Sequence, residues 1–513
     1  MSSILAGTLL LTATGLFSQL VGFLYRIMLS RLIGAETMGL YQLVMPVYSM
    51  LMSLTAVGLT VAVSTLSARN HALGDSGAVR ATLRKALECF LMVALPLGAV
   101  VILASDPISV YLIGDARTRL GIVLLVPCVL LTGVENLHKH CFYGIGRVRP
   151  PAASETAEQL IRAAAVIGLL VVLLPRSGEE TVGIIVLGMV ICEVCSAATL
   201  TVLFRRYWRR YPPAKARAQI THRQLFAIAV PVGATSLLGT LLGSANAVLI
   251  PARLVAGGAE ASAAMASFGV LCGMTLPLLS LPTGFIGALC LVMVPDLARR
   301  TAQGDRTAAG SFLDRVMTVT SLLIAPAMAL LTVLGPAVGR AMFREPTVGE
   351  FMFPLAVGTL LSCYQSVLSG ALNGLSLQGK SARNAIVSDV VQLAFTWFTV
   401  ARWGLAGFAA GYVLSSLAGM ALNLASVLRA TGLRPRLFRW FVRPLLAALL
   451  MGLWCSLFFR LLLDGGIPGG WACLLCALLG IVLYAAALLA QGLSLTDYLP
   501  RRRKKSAGKD RSR

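Results

Sequence analysis

Charge is what this chain has least of. Only 13% of its 513 residues are Asp, Glu, Lys or Arg, where a soluble protein of ordinary composition carries about a quarter. So few charges cannot coat a water-facing surface of this size, which excludes a soluble enzyme or binding module. Acidic residues are scarcer still, 21 against 44 Lys and Arg, and there are four histidines. Those four, His71, His138, His140 and His222, sit at or near connectors between apolar runs, and HKH (138–140) reads as a headgroup-facing helix end. Long polar loops are also missing, the longest connector being about twenty residues and basic. Membrane glycosyltransferases and ligases usually place catalytic acids in sizeable extramembrane loops, so the sequence predicts a protein that is not an enzyme.

What is abundant is apolar length. Hydrophobic residues make up 57% of the chain, and a run of 18 or more is what a ~30 Å hydrocarbon layer demands. Fourteen such spans are expected, at 4–25, 40–67, 86–105, 119–137, 156–174, 181–204, 224–250, 264–294, 316–335, 351–373, 386–401, 404–428, 442–462 and 471–492. The first, Ile4–Leu24, has no basic residues before it and no small-residue cleavage site after it. It reads as a retained span, not a signal peptide. The fold class is therefore an all-α membrane protein.

The net charge of +23 does not point to nucleic acid, because the basic residues sit in short connectors and in a tail, RRRKK at 501–505. That pattern controls topology and attracts anionic lipid headgroups. With a cytoplasmic N-terminus, inward connectors and tail hold 33 of the 44 Lys and Arg, outward connectors hold 10, and Arg162 falls within the fifth span. RRYWRRYPPAKAR (205–217) is inside and RSGEE (176–180) outside. Both termini are expected in the cytoplasm.

The chain also repeats itself. SARNHALGD (67–75) returns as LARRTAQGD (297–305), Pro96 as Pro326, and GRVRPPAASETAEQL (146–160) as GKSARNAIVSDVVQL (379–393). SRLIGAE (30–36) matches ARLVAGGAE (252–260) with two residues inserted. The expectation is two pseudo-symmetric six-helix lobes, 1–215 and 220–430, then two additional helices in 431–495 and a basic tail in 496–513. An even number of spans per repeat gives both lobes the same membrane orientation. Two such lobes leave a central cleft of the kind that supports alternating access.

Residues 26–69, RIMLSRLIGAETMGLYQLVMPVYSMLMSLTAVGLTVAVSTLSAR, closely resemble the N-terminal signature of stage V sporulation protein B and its polysaccharide-transporter relatives. These belong to the multidrug/oligosaccharidyl-lipid/polysaccharide (MOP) flippase superfamily, which includes the lipid II flippase MurJ. The resemblance implies movement of an undecaprenyl-pyrophosphate-linked sugar precursor, of peptidoglycan, polysaccharide or spore cortex, across the bacterial plasma membrane. It also implies that the first, second, seventh and eighth helices line the cleft. In MurJ several cleft positions are arginine; here FSQLVGF (17–23) has Gln19 at one of them, and spans 40–67 and 264–294 hold no basic residue. That departure favours the sporulation-type branch.

The candidate chemistry lies in a few charges. GLSLQGKS (374–381) spells a phosphate-loop pattern but follows an apolar helix instead of a strand, so no nucleotide site is expected. CEVC (192–195) and CLLC (473–476) lie in apolar runs without His or Asp companions and read as packing residues, so no metal or cofactor is expected. Glu135, Glu193 and Asp389 are ionisable residues within spans, open to ion coupling or to structural pairing. Arg162 follows Glu158 by one helical turn and reads as its partner. From Met1 to Ala68 the only charged residues are Arg26, Arg31 and Glu36.

Arg26 and Arg31 either reach toward outer headgroups or hold a diphosphate, whose charge suits the fixed fork of a guanidinium. Arg31 has a repeat mate in Arg253, whereas Arg26 aligns with Val248. Arg26, Arg31 and Arg253 are the expected substrate-binding residues, although five positions on one helix set the first two about 140° apart. The expected function is a flippase with a lipid-linked glycan substrate. The alternatives are a cation-coupled multidrug exporter of the same superfamily and a non-transporting scaffold for envelope or spore assembly.

Overall fold

A membrane interior offers no hydrogen-bonding partners, so every crossing segment must satisfy its own backbone, and helices do so. The computed structural model describes residues 2–209, 220–303 and 306–492, and all their regular structure is helical. The expected basic tail and most of the 205–217 connector lie outside the described residues.

The chain opens with α1 (Ser2–Met52), which runs through a π-helical turn (Ser53–Val57) into α2 (Gly58–Ala72). The apolar stretch Leu10–Ala72 is 63 residues long. As one straight helix it would extend about 95 Å, roughly three hydrocarbon thicknesses. It does not, because Gly34 (φ 74, ψ 177) breaks it in a backbone region that only glycine occupies readily. The expected first and second spans are the arms on either side of that joint. The arms are longer than the expected 4–25 and 40–67, since helix continues almost up to the glycine from both directions. Hydropathy ends a span at Arg26, whereas hydrogen bonding does not.

Four helices complete the first six spans: α3 (Ser76–Leu103), α4 (Arg119–Gly144), α5 (Arg149–Leu173) and α6 (Gly178–Arg209). Asp75 caps α3 by accepting the Ala78 N–H at 2.8 Å. The seventh span is α7 (His222–Ala256), opened by a capping box between Thr221 and Gln224.

The eighth span is not the single helix expected over 264–294. It comprises α8 (Ala261–Phe268), a π-helical turn (Gly269–Thr275), α9 (Leu276–Ser280) and, after a break at Leu281 and Pro282, α10 (Thr283–Ala302). Pro282 has no N–H to give, and the Phe285 N–H turns to the Pro282 carbonyl at 3.3 Å. The carbonyls just before the break are thereby released from the ladder.

Six more helices follow: α11 (Arg306–Phe343), α12 (Met352–Gly374), α13 (Gln378–Trp403), α14 (Leu405–Thr431), α15 (Arg443–Asp464) and α16 (Gly469–Ala490). Among the described residues thirteen segments are long and apolar enough to cross a membrane, and the joint at Gly34 makes the first of them two. Fourteen spans result.

Within the first half α4 and α5 pack on α6, and α2 packs on α4; within the second, α12 and α13 pack on α14, and α7 on α13. The last two helices pack on each other and on α11. Trp440, fully buried just before α15, ties that pair down by donating its indole N–H to Asp314 of α11 at 2.7 Å. Between the halves, α1 and α2 meet α7, α8 and the π-helical turn. Two of these crossings bring backbones into contact. A Cβ on Gly269 would fall 2.0 Å from the Ala35 carbonyl oxygen, and one on Gly58 would fall 2.1 Å from that of Ala229. The halves thus touch at two separated levels and part between them.

Candidate functional site: a polar cleft between the lobes

Three adjoining cavities occupy the gap, and Cys272, in the π-helical turn of the eighth span, lines all of them. π-Helical turns widen a helix locally and recur at functional sites. One cavity, of about 410 Å³, lies between α1 and α7 and is lined by Gln42, Ser49, Thr240 and Ser244 among others. A second, of about 720 Å³, runs into the second half past Gln365, Asp389, Gln392 and Asn423. Its wall is mostly a neutral network: Thr396 Oγ1 donates to Asn246 Oδ1 at 2.5 Å, and Ser415 Oγ to Gln392 Oε1 at 3.0 Å. Asp389 is half-buried there and has no ion-pair partner among the described residues.

The third cavity holds the cations. It measures about 600 Å³ and is lined by Gln19, Tyr25, Arg26 and Tyr41 of α1, Gln159 and Arg162 of α5, and residues from Cys272 to Leu281 of the eighth span. Gln19 closes one side. Its Nε2 donates to the carbonyls of Ser280 (3.1 Å) and Leu281 (3.2 Å), the groups released by the Pro282 break. Glycine at 284 leaves room for that amide, because a Cβ there would lie 1.9 Å from Gln19 Oε1.

The three arginines expected to bind substrate are not brought together. Arg26 lies eight residues before the Gly34 joint, about 12 Å along the helix, and faces the cleft instead of a headgroup layer. Among the described residues it has neither a hydrogen-bond nor an ion-pair partner. Arg31 points elsewhere: its Nε donates to the Met342 carbonyl at 2.5 Å and its Nη2 to that of Ala341 at 2.7 Å. These carbonyls end α11 and lack helical donors of their own. Arg253 stacks its guanidinium 4.7 Å above the Trp397 ring centroid, with Nε buried and unpaired. Only Arg26 of the three lines one of these cavities.

A residue read as internally paired joins it. Arg162 does bond Glu158, at 2.5 Å, but it also reaches Glu193 on α6 at 3.1 Å and lines the cavity beside Arg26. Behind it Lys139 of α4 pairs with Glu135 at 2.7 Å and Glu158 at 3.0 Å, and Ser196 donates to Glu135. The result is a buried cluster of three carboxylates and two cations across α4, α5 and α6. A signal for it was present in the sequence: three neighbouring spans each carry an intramembrane acid, two of them with a cation one turn on.

The other motifs have ordinary places. GLSLQGKS runs from the last residue of α12 through a three-residue connector into the first turn of α13. In CEVC, Cys192 is buried and Cys195 exposed. In CLLC, the Cys476 thiol donates to the Cys455 carbonyl in the contact of α15 with α16.

Two helical halves joined across a polar cleft, in a chain of some fourteen spans, define a multi-pass membrane transporter of the flippase type. The profile of the polysaccharide biosynthesis protein family matches residues 4–299, more than half the chain, and the chain belongs to that family. It is 25% identical to stage V sporulation protein B of Bacillus subtilis (strain 168) over 430 residues, 82% of this chain and 83% of that one. Its fold is that of the lipid II flippase MurJ in an inward closed conformation, with a TM-score of 0.74 at 14% identity over 94% of this chain and 98% of the other. An inward-facing multidrug resistance MATE family transporter of the MOP superfamily superposes with a TM-score of 0.63 at 15% identity, over 81% and 96% of the two chains. The resemblance drawn from residues 26–69 is confirmed.

Proposed function

We propose that this protein moves an undecaprenyl-diphosphate-linked glycan precursor across the bacterial plasma membrane by alternating access. The lobes 1–215 and 220–430 would rock about the cleft, with 431–495 as two added helices and both termini cytoplasmic, where the basic connectors and the 496–513 tail meet anionic headgroups. One observation carries the substrate reading. Arg26 is an unpaired guanidinium inside a cleft of mostly neutral polar groups. An unpaired charge at membrane depth costs at least ~2.5 kcal/mol, and a diphosphate offset against its fixed fork of donors removes that cost. Membership of the polysaccharide biosynthesis protein family and a fold shared with a lipid II flippase support the same substrate class. Arg31 and Arg253 would reach the diphosphate only by leaving the α11 carbonyls and the Trp397 ring.

Asp389, unpaired in the second cavity, favours the multidrug-exporter reading, since a carboxylate suits a cationic drug. It stands against Arg26, which would repel one. A scaffold has no use for either cavity.

The test is lipid recovery and translocation. Native mass spectrometry of the purified protein should show a co-purified polyprenyl-diphosphate glycan, absent from Arg26→Ala and weakened in Arg26→Lys. Proteoliposomes should flip that lipid with the wild-type protein only. Full transport by a well-folded Arg26→Ala variant would remove the diphosphate from this site.

A further inference from the structure

The buried cluster behind the cleft does not balance. Glu135, Glu158 and Glu193 supply three negative charges against Lys139 and Arg162, and each cation bonds two of them. Glu193 is 1% exposed, yet its Oε2 has no hydrogen-bond donor, and the Arg162 Nε beside it has no acceptor. Ser196, three residues past Glu193 on α6, donates to Glu135 of α4, so the two carboxyl groups sit about one turn apart where these helices pack. Two ionised carboxylates repel one another in so buried a place, whereas two carboxyls holding one proton do not.

We propose that Glu135 and Glu193 share one exchangeable proton, and that this proton decides whether Arg162 is clamped in the cluster or turned to the cleft beside Arg26. With the proton bound, the cluster is neutral: Lys139 and Arg162 face Glu158 and the singly charged pair. Arg162 then keeps its bond to Glu158 and turns its free edge to the cavity that Arg26 also lines. Without the proton, the Glu193 carboxylate draws the guanidinium back. Anion binding in the cleft and protonation of the pair therefore favour one another, and linkage makes the effect reciprocal. The only bond made or broken is O–H, with the proton exchanged with water.

A metal ion is the competing occupant, since Glu158, Cys192 and Glu193 place ligand atoms within 4.8 Å of one another. Two of those three are the carboxylates that hold Arg162, and the Cys192 thiol donates to the Glu158 backbone carbonyl at 3.2 Å, so a proton fits the charge balance better. Among the described residues the one other acid facing the pair is Glu158, on α5 with Arg162. On α4 the neighbours are Lys139, Cys128 and Tyr143, and on α6 Cys192. From α1 comes the phenol of Tyr48, while those of Tyr25 and Tyr41 face Arg162.

The linkage rests on reading the cleft as an anion site, and two measurements on the full-length purified protein separate it from the lipid reading. Difference infrared spectra across a pH titration should show a protonated-carboxyl band that is lost in Glu193→Gln and in Glu135→Gln. Calorimetry with inorganic pyrophosphate should show wild-type affinity falling as pH rises, by up to about tenfold per unit, the limit for one linked proton. Glu193→Gln, which imitates the protonated state, should hold the low-pH affinity once the probe's own titration is divided out. Absence of the band in the wild type overturns the proposal, as do parallel pyrophosphate profiles in wild type and variant. Loss of the band on adding sodium at fixed pH assigns the site to a metal ion and also overturns it. Proton-linked pyrophosphate binding without flipping of a polyprenyl-diphosphate glycan upholds it and discards the lipid substrate alone.

Discussion

Arg31 donates to the main-chain carbonyl of Met342 at 2.5 Å, so a side chain on the first span completes the last turn of a helix in the other half of the molecule. The second fork nitrogen takes Ala341 at 2.7 Å. Arg31→Ala should therefore destabilise this contact between the halves by about 1.5–3 kcal/mol, the range for hydrogen bonds involving a charged group. Arg31→Lys should recover little, because an ammonium does not present two parallel donors. Thermal unfolding of the purified variants measures both, and an unchanged midpoint for Arg31→Ala would show the cap to be idle.

The two backbone crossings make opposite predictions. A methyl at Gly269 collides with the Ala35 carbonyl, and one at Gly58 with that of Ala229, at different levels of the cleft. Gly269→Ala should part α1 from the eighth span and leave α2 against α7, whereas Gly58→Ala should do the reverse. Spin-label distances across each crossing report this. Equal distances in wild type and both variants would mean that the helices absorb the methyl without moving.

Gln19 holds the carbonyls released at Pro282, and Gly284 makes the space for it. Gly284→Ala should expel the amide, leave the Leu281 carbonyl to water and that of Ser280 to the Thr283 hydroxyl alone, and lower transport at least as much as Gln19→Ala. If Gly284→Ala transports normally while Gln19→Ala does not, the amide acts on the substrate and not on the break.

Ion pairs in this protein should differ sharply in worth. Lys139 is buried between Glu135 and Glu158, so Lys139→Met strands buried carboxylates and should cost about 3–5 kcal/mol. Arg84 pairs with Glu88 while 83% exposed, and Arg84→Ala should cost under about 1 kcal/mol. Yield of monodisperse protein and its melting midpoint check the order.

Most of the architecture was legible because a bilayer imposes a length on each apolar run and a sign on each connector. The fourteen spans follow from the lengths, whereas the paired halves were read from the internal repeat and the cleft-lining helices were implied by the family resemblance. The site was legible only in part. Composition marks Arg26 and Arg31 alike, and their separation depends on which way a helix faces and on where α11 happens to end. Arg162 was assigned its i−4 partner correctly, but a contact with the next span leaves no trace in local spacing. The broken eighth span was hidden because hydropathy scores PLLSLPTG as apolar and does not register the missing N–H of Pro282.

Gly34 has one more effect, on the arithmetic of the whole chain. Each membrane crossing reverses the side on which the next connector emerges, so the joint at residue 34 fixes the parity of everything after it. With the joint the described residues make fourteen spans, an even number, which under the proposed topology brings both ends of the chain to one side. A side chain at 34 that restored straight helix would remove one crossing and turn every later connector over, carrying the basic loops to the face that now holds the sparse ones. The handedness of the cleft with respect to the two sides of the membrane thus hangs on a residue whose own side chain is a hydrogen atom.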